Sequence, residues 1–160
     1  MMEKVLLVIG DAAEVTDTLY PYYRIPEDGY EILVAAPEKR MYHLVQHDVH
    51  PDWDITIESK GYNFASDIAF ADINGEEYLG LAISGGRAPE YIRLNEDVLD
   101  MVRHFSETDK PIAAICHGAQ VLAAAGVLFA TLIAVGAAAR SPAVGEAGAA
   151  WVAPLPPPLG

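Results

Sequence analysis

PIAAICHGAQVLAAAG, residues 111–126, is the part of the sequence that indicates the fold most clearly. Its first five residues are apolar, as in a strand that is buried on both faces of a parallel sheet. Residues 119–125 have the composition of a helix, and Gly126 is a typical residue just beyond a helix end. A buried strand that passes directly into a helix, here through Cys-His-Gly at 116–118, predicts an α/β protein.

Strands and helices alternate over most of the remaining chain. Continuous apolar runs predict buried strands at residues 4–10, 30–36 and 78–84. Start and stop signals predict helices at residues 95–106 and at 13–24, the latter with Asp11 as its N-cap. Residues 37–73 lose the helical period and predict an antiparallel excursion. The whole pattern indicates an α/β fold, a flavodoxin-like three-layer sandwich with a mostly parallel sheet.

The composition limits the class of protein. A chain of 160 residues is long enough for one domain with a hydrophobic core, and its single cysteine rules out an intramolecular disulfide. The formal net charge of −13 would repel a phosphate backbone, so we expect no nucleic-acid partner. The N-terminus has no signal-peptide pattern, and residues 121–139, although apolar, are Ala- and Gly-rich and only weakly hydrophobic. We therefore expect a cytoplasmic protein that does not enter a membrane.

Cys116 is the candidate nucleophile. It lies where a strand ends and a helix begins, so the helix dipole and nearby backbone N–H groups would favour the thiolate. The turn is mechanically similar to a nucleophile elbow, and Gly118 gives it room. Position alone leaves open the alternative that Cys116 is a small buried hydrophobic residue, which is the commoner fate of a free cysteine.

Two other predicted turns follow strands and would meet Cys116 at one edge of the sheet. Glu14, in the first strand–helix turn, could accept a proton from the thiol, and the adjacent His117 could carry a proton. The N–H groups of Gly85 and Gly86 could hold a carbonyl oxygen, with Arg87 adding charge. Each of these residues also has an ordinary structural explanation, such as a helix-end carboxylate or a tight turn.

Metal and phosphate sites receive little support. The cluster of His43, His47, His50, Asp52 and Asp54 would place its first two histidines on one face only if the stretch were helical. It has no matching second cluster or cysteine ligand. The chain has neither a Walker-type loop nor a dinucleotide-binding fingerprint after its first strand. We expect no metal and no cofactor.

Two of these motifs together resemble the ThiJ/PfpI superfamily. Residues 114–118 (AICHG) resemble its nucleophile elbow, and residues 85–91 (GGRAPEY) resemble its glycine-rich turn. The resemblance leads us to expect a ThiJ/PfpI-like domain over residues 1–128. Residues 129–160 depart from the family pattern: they form an atypical Ala- and Pro-rich C-terminal segment, either part of the same domain or a tail.

The resemblance implies roles for individual residues. It implies a flavodoxin-like sandwich in which Cys116 is the nucleophile, Glu14 its carboxyl partner and His117 the adjacent histidine. Glu90 matches the position that completes a triad across a subunit interface in the protease-like branch. The resemblance therefore also implies a homo-oligomer.

The function expected on these grounds is that of a glutathione-independent glyoxalase or deglycase. Such an enzyme acts through Cys116 on a small-molecule partner, a methylglyoxal-like α-oxoaldehyde or a glycated substrate. One alternative is a PfpI-like intracellular cysteine peptidase that uses Cys116, His117 and Glu90. Another is a non-enzymatic redox sensor or chaperone, in which Cys116 is oxidised to a sulfinate that Glu14 stabilises. An inactive relative with a degraded C-terminus is the remaining alternative.

Overall fold

A computed structural model describes residues 2–52, 54–127 and 149–152. The strands are β1 (Lys4–Val8), β2 (Glu31–Ala36), β3 (Met41–Val49), β4 (Thr56–Ala65), β5 (Ile68–Ala69), β6 (Gly80–Ile83), β7 (Ile112–Ile115) and β8 (Ala149–Val152). The α-helices are α1 (Val15–Glu27), α2 (Ala88–Ile92), α3 (Glu96–Glu107) and α4 (Ala119–Ala124). Short 3₁₀ turns occupy Phe70–Asp72, Gly75–Glu77 and Cys116–Gly118.

The main sheet is mostly parallel. Its strand order is β5-β2-β1-β6-β7-β8, and every neighbouring pair is parallel except β7 with β8. The helices cross from strand to strand, as parallel pairing requires. Because β1 lies in the middle of this order, the turns that follow β1, β6 and β7 meet at the same edge of the sheet. The expected α/β class and mostly parallel sheet are confirmed.

The sheet is buried on both faces, as the continuous apolar runs predict. Side chains alternate along β1, so that Leu6 faces one layer and Leu7 the other. The layer on the Leu6 side is formed by α3 and α4, with Val102 and Val121 in its core. The layer on the Leu7 side is formed by α1 and β3, and Tyr42 is its largest fully buried side chain. The result is the expected three-layer sandwich.

The first helix begins later than the sequence predicts, and its N-cap is a different residue. The cap is Glu14, whose backbone is extended (φ −74°, ψ 139°) and whose Oε2 accepts a hydrogen bond from the N–H of Asp17 at 2.8 Å. The prediction for Asp11 is wrong because its carboxylate is held by Arg40, with Oδ2 2.7 Å from Nη2. Asp11 therefore stabilises the loop before β3 and does not cap the helix.

The antiparallel excursion is a hairpin of β3 with β4, separate from the main sheet. Two backbone–backbone hydrogen bonds tie it to the turn that precedes α1. The N–H of Ala12 donates to the carbonyl of His43 at 2.8 Å. The N–H of Val45 donates to the carbonyl of Ala13 at 2.9 Å. The hairpin thus lies beside the edge of the sheet at which the candidate site is expected.

The hairpin histidines are not arranged as a metal site. His43 and His47 lie on a strand, so the helical spacing considered above does not apply. Within the described ranges, no group of three or more His, Cys, Asp or Glu side chains could hold a metal ion.

Most of the segment 129–160 lies outside the described residues. The exception is β8, which pairs with β7 and sets Ala113 opposite Trp151. The apolar stretch 121–139 is described only as far as residue 127. None of the helices in the described part of the chain is long and apolar enough to cross a membrane.

Candidate active site

Cys116 has a strained backbone at the end of β7. Its φ is 52°, in the left-handed region that costs a non-glycine residue about 1–2 kcal/mol. The residue is exposed. The chain then turns through Cys116–Gly118 into α4, and the turn is tight because a Cβ on Gly118 would lie 2.8 Å from the carbonyl oxygen of Ile83. An exposed cysteine at a strained strand-to-helix turn has the geometry of a nucleophile elbow.

Gly85 and Gly86, which follow β6, pack directly against this elbow. A Cβ on Gly85 would lie 2.5 Å from the Cβ of Cys116 and would collide with Oδ2 of Asp17. Gly86 has a φ of 73°, and a Cβ there would lie 2.5 Å from the backbone nitrogen of Glu14. Gly85 therefore requires glycine because its neighbours lie too close for a side chain. Gly86 requires glycine for the same reason and also because its φ is positive.

His117 is held by the same turn. Its Nδ1 lies 2.9 Å from the carbonyl oxygen of Gly86. A carbonyl can only accept, so in the neutral ring this contact places the proton on Nδ1 and the lone pair on Nε2. His117 is exposed, so that lone pair is available to take a proton at the sheet edge.

The carboxyl group that reaches toward Cys116 is that of Asp17. Gly85 separates the two residues, since its missing Cβ would touch both. Glu14, to which the sequence assigns this place, is 8% exposed and its Oε2 caps α1 on the Asp17 N–H. Asp17 was not a sequence candidate, because a carboxylate in a first helical turn is very common. The available signal is its position three residues after Glu14, which places the two on one face of the helix.

Burial changes the acidity of Asp17. Desolvation, followed by the charge of Glu14, raises the pKa of Asp17 from 3.8 to about 6. His47, the N–H of Gly85 and His117 act in the opposite direction. Oδ2 of Asp17 is buried and has no hydrogen-bond partner among the described residues. A carboxyl group with these properties can gain or lose a proton near neutral pH.

A buried pair of hydroxyl groups fixes Asp17 relative to the glycine turn. The hydroxyl of Thr18 donates to the carbonyl of Glu14 at 2.7 Å, so the hydroxyl of Ser84 must donate to Thr18 Oγ1, at 2.8 Å. Both side chains are buried. This pair joins α1 to the end of β6 and was also not predicted, because single Ser and Thr residues carry no distinctive sequence signal.

Arg87 and Glu90 lie on the surface beside the site. Nε of Arg87 is 3.4 Å from Oε2 of Glu90, and its Nη1 is 3.8 Å from Oε1 of Glu58. The side chains of Arg87 and Glu90 are 58% and 43% exposed. Their predicted roles, substrate binding for Arg87 and an intersubunit triad for Glu90, stay predictions.

The structure thus brings together a thiol, an imidazole with a free nitrogen and a carboxyl group that titrates near neutral pH. These belong to Cys116, His117 and Asp17, and they surround the Gly85–Gly86 turn. A nucleophile with two neighbouring proton carriers is suited to addition at a carbonyl carbon.

This chain is similar in sequence to proteins of one known family. The sequence model of the DJ-1/PfpI family matches residues 3–155. Deglycase PfpI of Pyrococcus furiosus is 35% identical over 125 residues, which are 78% of this chain and 67% of that protein. Protein DJ-1 homolog D of Arabidopsis thaliana is 39% identical over 128 residues, 79% of this chain and 33% of the plant protein.

Solved structures agree with the fold. Toxoplasma gondii DJ-1, in an oxidized form, superposes with a TM-score of 0.65 at 25% identity, covering 79% of this chain and 63% of that one. Drosophila melanogaster DJ-1beta superposes with a TM-score of 0.63 at 20% identity, covering 79% of this chain and 62% of that one. This chain therefore spans somewhat less than two thirds of these two structures.

Proposed function

This chain belongs to the DJ-1/PfpI family, and on that premise we propose that it is a glutathione-independent glyoxalase or deglycase. Its substrates are methylglyoxal-like α-oxoaldehydes or the early adducts that they form with amines and thiols. The observation that carries the proposal is the exposed Cys116 at a strained turn with Asp17 beside it across Gly85. The deglycase names of relatives at 35–38% identity support the same chemistry.

The first step forms a covalent adduct. The thiol proton of Cys116 passes to Nε2 of His117, and the sulfur attacks the aldehyde carbon to form a C–S bond. The former carbonyl oxygen then takes the proton back from His117, which gives a neutral hemithioacetal. Backbone N–H groups of the Gly85–Gly86 turn stabilise the substrate oxygen.

The second step moves a proton between carbons. The Asp17 carboxylate takes the proton from the former aldehyde carbon, which produces an enediolate. Nε2 of His117 relays the hydroxyl proton on that carbon to the former ketone oxygen, the C=O bond forms at the carbon bound to sulfur, and Asp17 returns its proton to the neighbouring carbon. The product is a thioester of a 2-hydroxy acid on Cys116. Water then attacks this carbonyl, the C–S bond breaks, and the acid and the free thiol are released. With an amine adduct, the sulfur forms its bond to carbon as the C–N bond breaks, and the leaving amine takes the thiol proton from His117.

The substrate proposal is tested with the purified chain, methylglyoxal and no glutathione. We expect aldehyde loss to be matched by lactate formation, at a rate that added glutathione does not increase. Aldehyde loss without lactate would indicate simple scavenging by the thiol, and no loss at all in a folded protein would overturn the proposal.

A second candidate is a cysteine peptidase, favoured by the exposure of Glu90. A surface carboxylate next to the site is accessible to a neighbouring copy of the chain, as an intersubunit triad of Cys116, His117 and Glu90 requires. Glu90→Gln, or dissociation of an oligomer, would then abolish cleavage of a peptide substrate. The glyoxalase proposal instead predicts that lactate formation survives Glu90→Gln.

A further inference from the structure

The hairpin of β3 and β4 brings a second histidine to the candidate site. Val45 forms a parallel bridge with Glu14, and its N–H donates to the carbonyl of Ala13 at 2.9 Å. His47 lies two residues further along β3 and so shares a face of the strand with Val45. The side chain of His47 is only 18% exposed.

The face of β3 that is covered changes along the strand. In the first half of β3 the buried residues are Tyr42 and Leu44. From Val45 onward the partly buried residues are Val45 and His47. The register shifts at this point because His43 opposes Asn63 whereas Val45 opposes Lys60, so β4 carries one more residue than β3. Because the extra residue belongs to β4, the side chains of β3 keep their alternation, and His47 lies on the face of β3 opposite to Leu44.

Glu58 holds the imidazole in place. His47 and Glu58 are directly opposite in the register of the hairpin, and Nε2 of His47 lies 3.3 Å from Oε2 of Glu58. A carboxylate accepts, so Nε2 carries the proton of this hydrogen bond and Nδ1 remains for another group. Oε1 of Glu58 lies 3.8 Å from Nη1 of Arg87, which joins the pair to the glycine turn.

His47 acts electrostatically on Asp17. Among the groups that lower the pKa of Asp17, the charge of His47 has the largest effect. The other groups facing Asp17 are Glu14 on its own helix, the N–H of Gly85 after β6 and His117 after β7. The catalytic steps above use none of the hairpin residues, so His47 is a partly buried titratable group with no role assigned to it.

We propose that His47, held by Glu58, is a positioning residue of the Cys116 site and governs the proton exchange of the Asp17 carboxyl. A protonated imidazole stabilises the carboxylate that takes the substrate proton, while Glu58 fixes the ring by its hydrogen bond to Nε2. The inference rests on the proposed function in one respect, which is that Asp17 is the base that takes the proton from the substrate carbon. The hairpin is then a part of the site and not only a cover for one face of the sheet.

The experiment follows the Asp17 carboxyl carbon by NMR in the full chain, from about pH 4 to about pH 8, without any substrate. We expect His47→Gln to move the midpoint of the Asp17 titration upward by about half a pH unit or more, because one stabilising cation is lost. His47→Lys restores a cation and should return the midpoint toward the wild-type value. The matched control is His43→Gln, since His43 lies on the same strand but its side chain is 67% exposed and beside Asp11. The midpoint of the Asp17 titration should not change in this variant.

An unchanged Asp17 midpoint in His47→Gln would overturn the proposal. If His47→Gln does not fold, Asp17→Asn gives the reciprocal test, because coupling between two sites is mutual. The ring resonances of His47 should then titrate at lower pH than in the wild type, and an unchanged curve would equally overturn the proposal. In the lactate assay, the acid limb of kcat/KM should move with the Asp17 midpoint. Absence of lactate in the wild type would contradict the proposed function alone, because the NMR titration decides the role of His47 independently.

Discussion

Gly85 and Cys116 are packed so closely that a single added carbon cannot fit between them. A Cβ on Gly85 would lie 2.5 Å from that of Cys116 and 2.9 Å from the carbonyl oxygen of Ile115. The same carbon would collide with Oδ2 of Asp17. Three elements, α1, the turn after β6 and the turn after β7, therefore meet at Gly85, which has no side chain.

Gly85→Ala should accordingly separate Asp17 from Cys116. We expect lactate formation to fall by about 100-fold or more, because displacing a reacting group by about 1 Å has effects of that size. Overpacking should also lower the free energy of unfolding by about 1–3 kcal/mol. Steady-state kinetics and urea unfolding of the same preparation measure the two effects, and wild-type turnover in this variant would show that the contact has no catalytic importance.

Gly86→Ala tests the second close approach, with Gly29→Ala as its control. Both glycines have positive φ values, 73° and 90°, so both substitutions carry the strain of a left-handed side chain. Only at Gly86 would the new Cβ meet neighbours, the backbone of Ala12 and Glu14; at Gly29 nothing lies within 4 Å. We expect the Gly86 variant to be less stable than the Gly29 variant by about 2 kcal/mol in urea unfolding. Equal losses would contradict the predicted collision.

Asp17→Asn should make the protein more stable at neutral pH while impairing catalysis. The pKa of Asp17 is raised to about 6 from 3.8, so the folded protein binds the proton more tightly than the unfolded chain. That contribution is fully present below about pH 4 and is lost as the pH rises through about 6. Asparagine stays neutral at every pH. Above pH 6 the free energy of unfolding of the variant should therefore exceed that of the wild type by about 1 kcal/mol, after allowance for solvent screening of a partly exposed group.

Thermal unfolding of both proteins across this pH range measures the difference. It should be absent near pH 4 and reach its full size by about pH 7. A constant difference at all pH values would mean that the substitution acts through packing and not through the charge of Asp17.

The strain at Cys116 can be separated from its chemistry. Cys116→Ala and Cys116→Gly both remove the sulfur, but only glycine adopts a φ of 52° without strain. We expect both variants to be inactive and the glycine variant to be more stable than the alanine variant by about 1 kcal/mol. Equal stability in chemical denaturation would indicate that the turn is not strained.

The elements that the sequence predicts well are those with a strong local signal. Continuous apolar runs identify β1, β2, β6 and β7, because short runs of this kind, bounded by turn residues, are typical of strands buried on both faces. The turns at 85–86 and 116–118 are equally local, since glycine and the strand-to-helix junction mark them directly. These signals place the thiol, the adjacent histidine and the glycine turn at one edge of the sheet.

The features that the sequence does not reveal depend on contacts between distant segments. Asn and Asp cap helices far more often than Glu does, so a cap at Glu14 is unexpected. The raised pKa of Asp17 comes from burial, which needs the packed glycine turn. The extent of the hairpin is hidden because most of β4 is exposed and has no clear alternation. The placement of His47 depends on the packing of the hairpin against the turn before α1, where the N–H of Val45 donates to the carbonyl of Ala13.

We propose that Cys116 and Asp17 convert an α-oxoaldehyde to a hydroxy acid, and the rate of lactate formation measures that conversion. Initial rates of lactate formation from methylglyoxal, without glutathione, are compared for the wild type, Cys116→Ala, Asp17→Asn and Glu14→Gln. We predict no lactate above background for Cys116→Ala and a loss of about 100-fold or more for Asp17→Asn. Glu14→Gln should lose less than about tenfold, because the glutamine oxygen can still cap α1. Wild-type rates in Asp17→Asn, or in Cys116→Ala, would contradict the account.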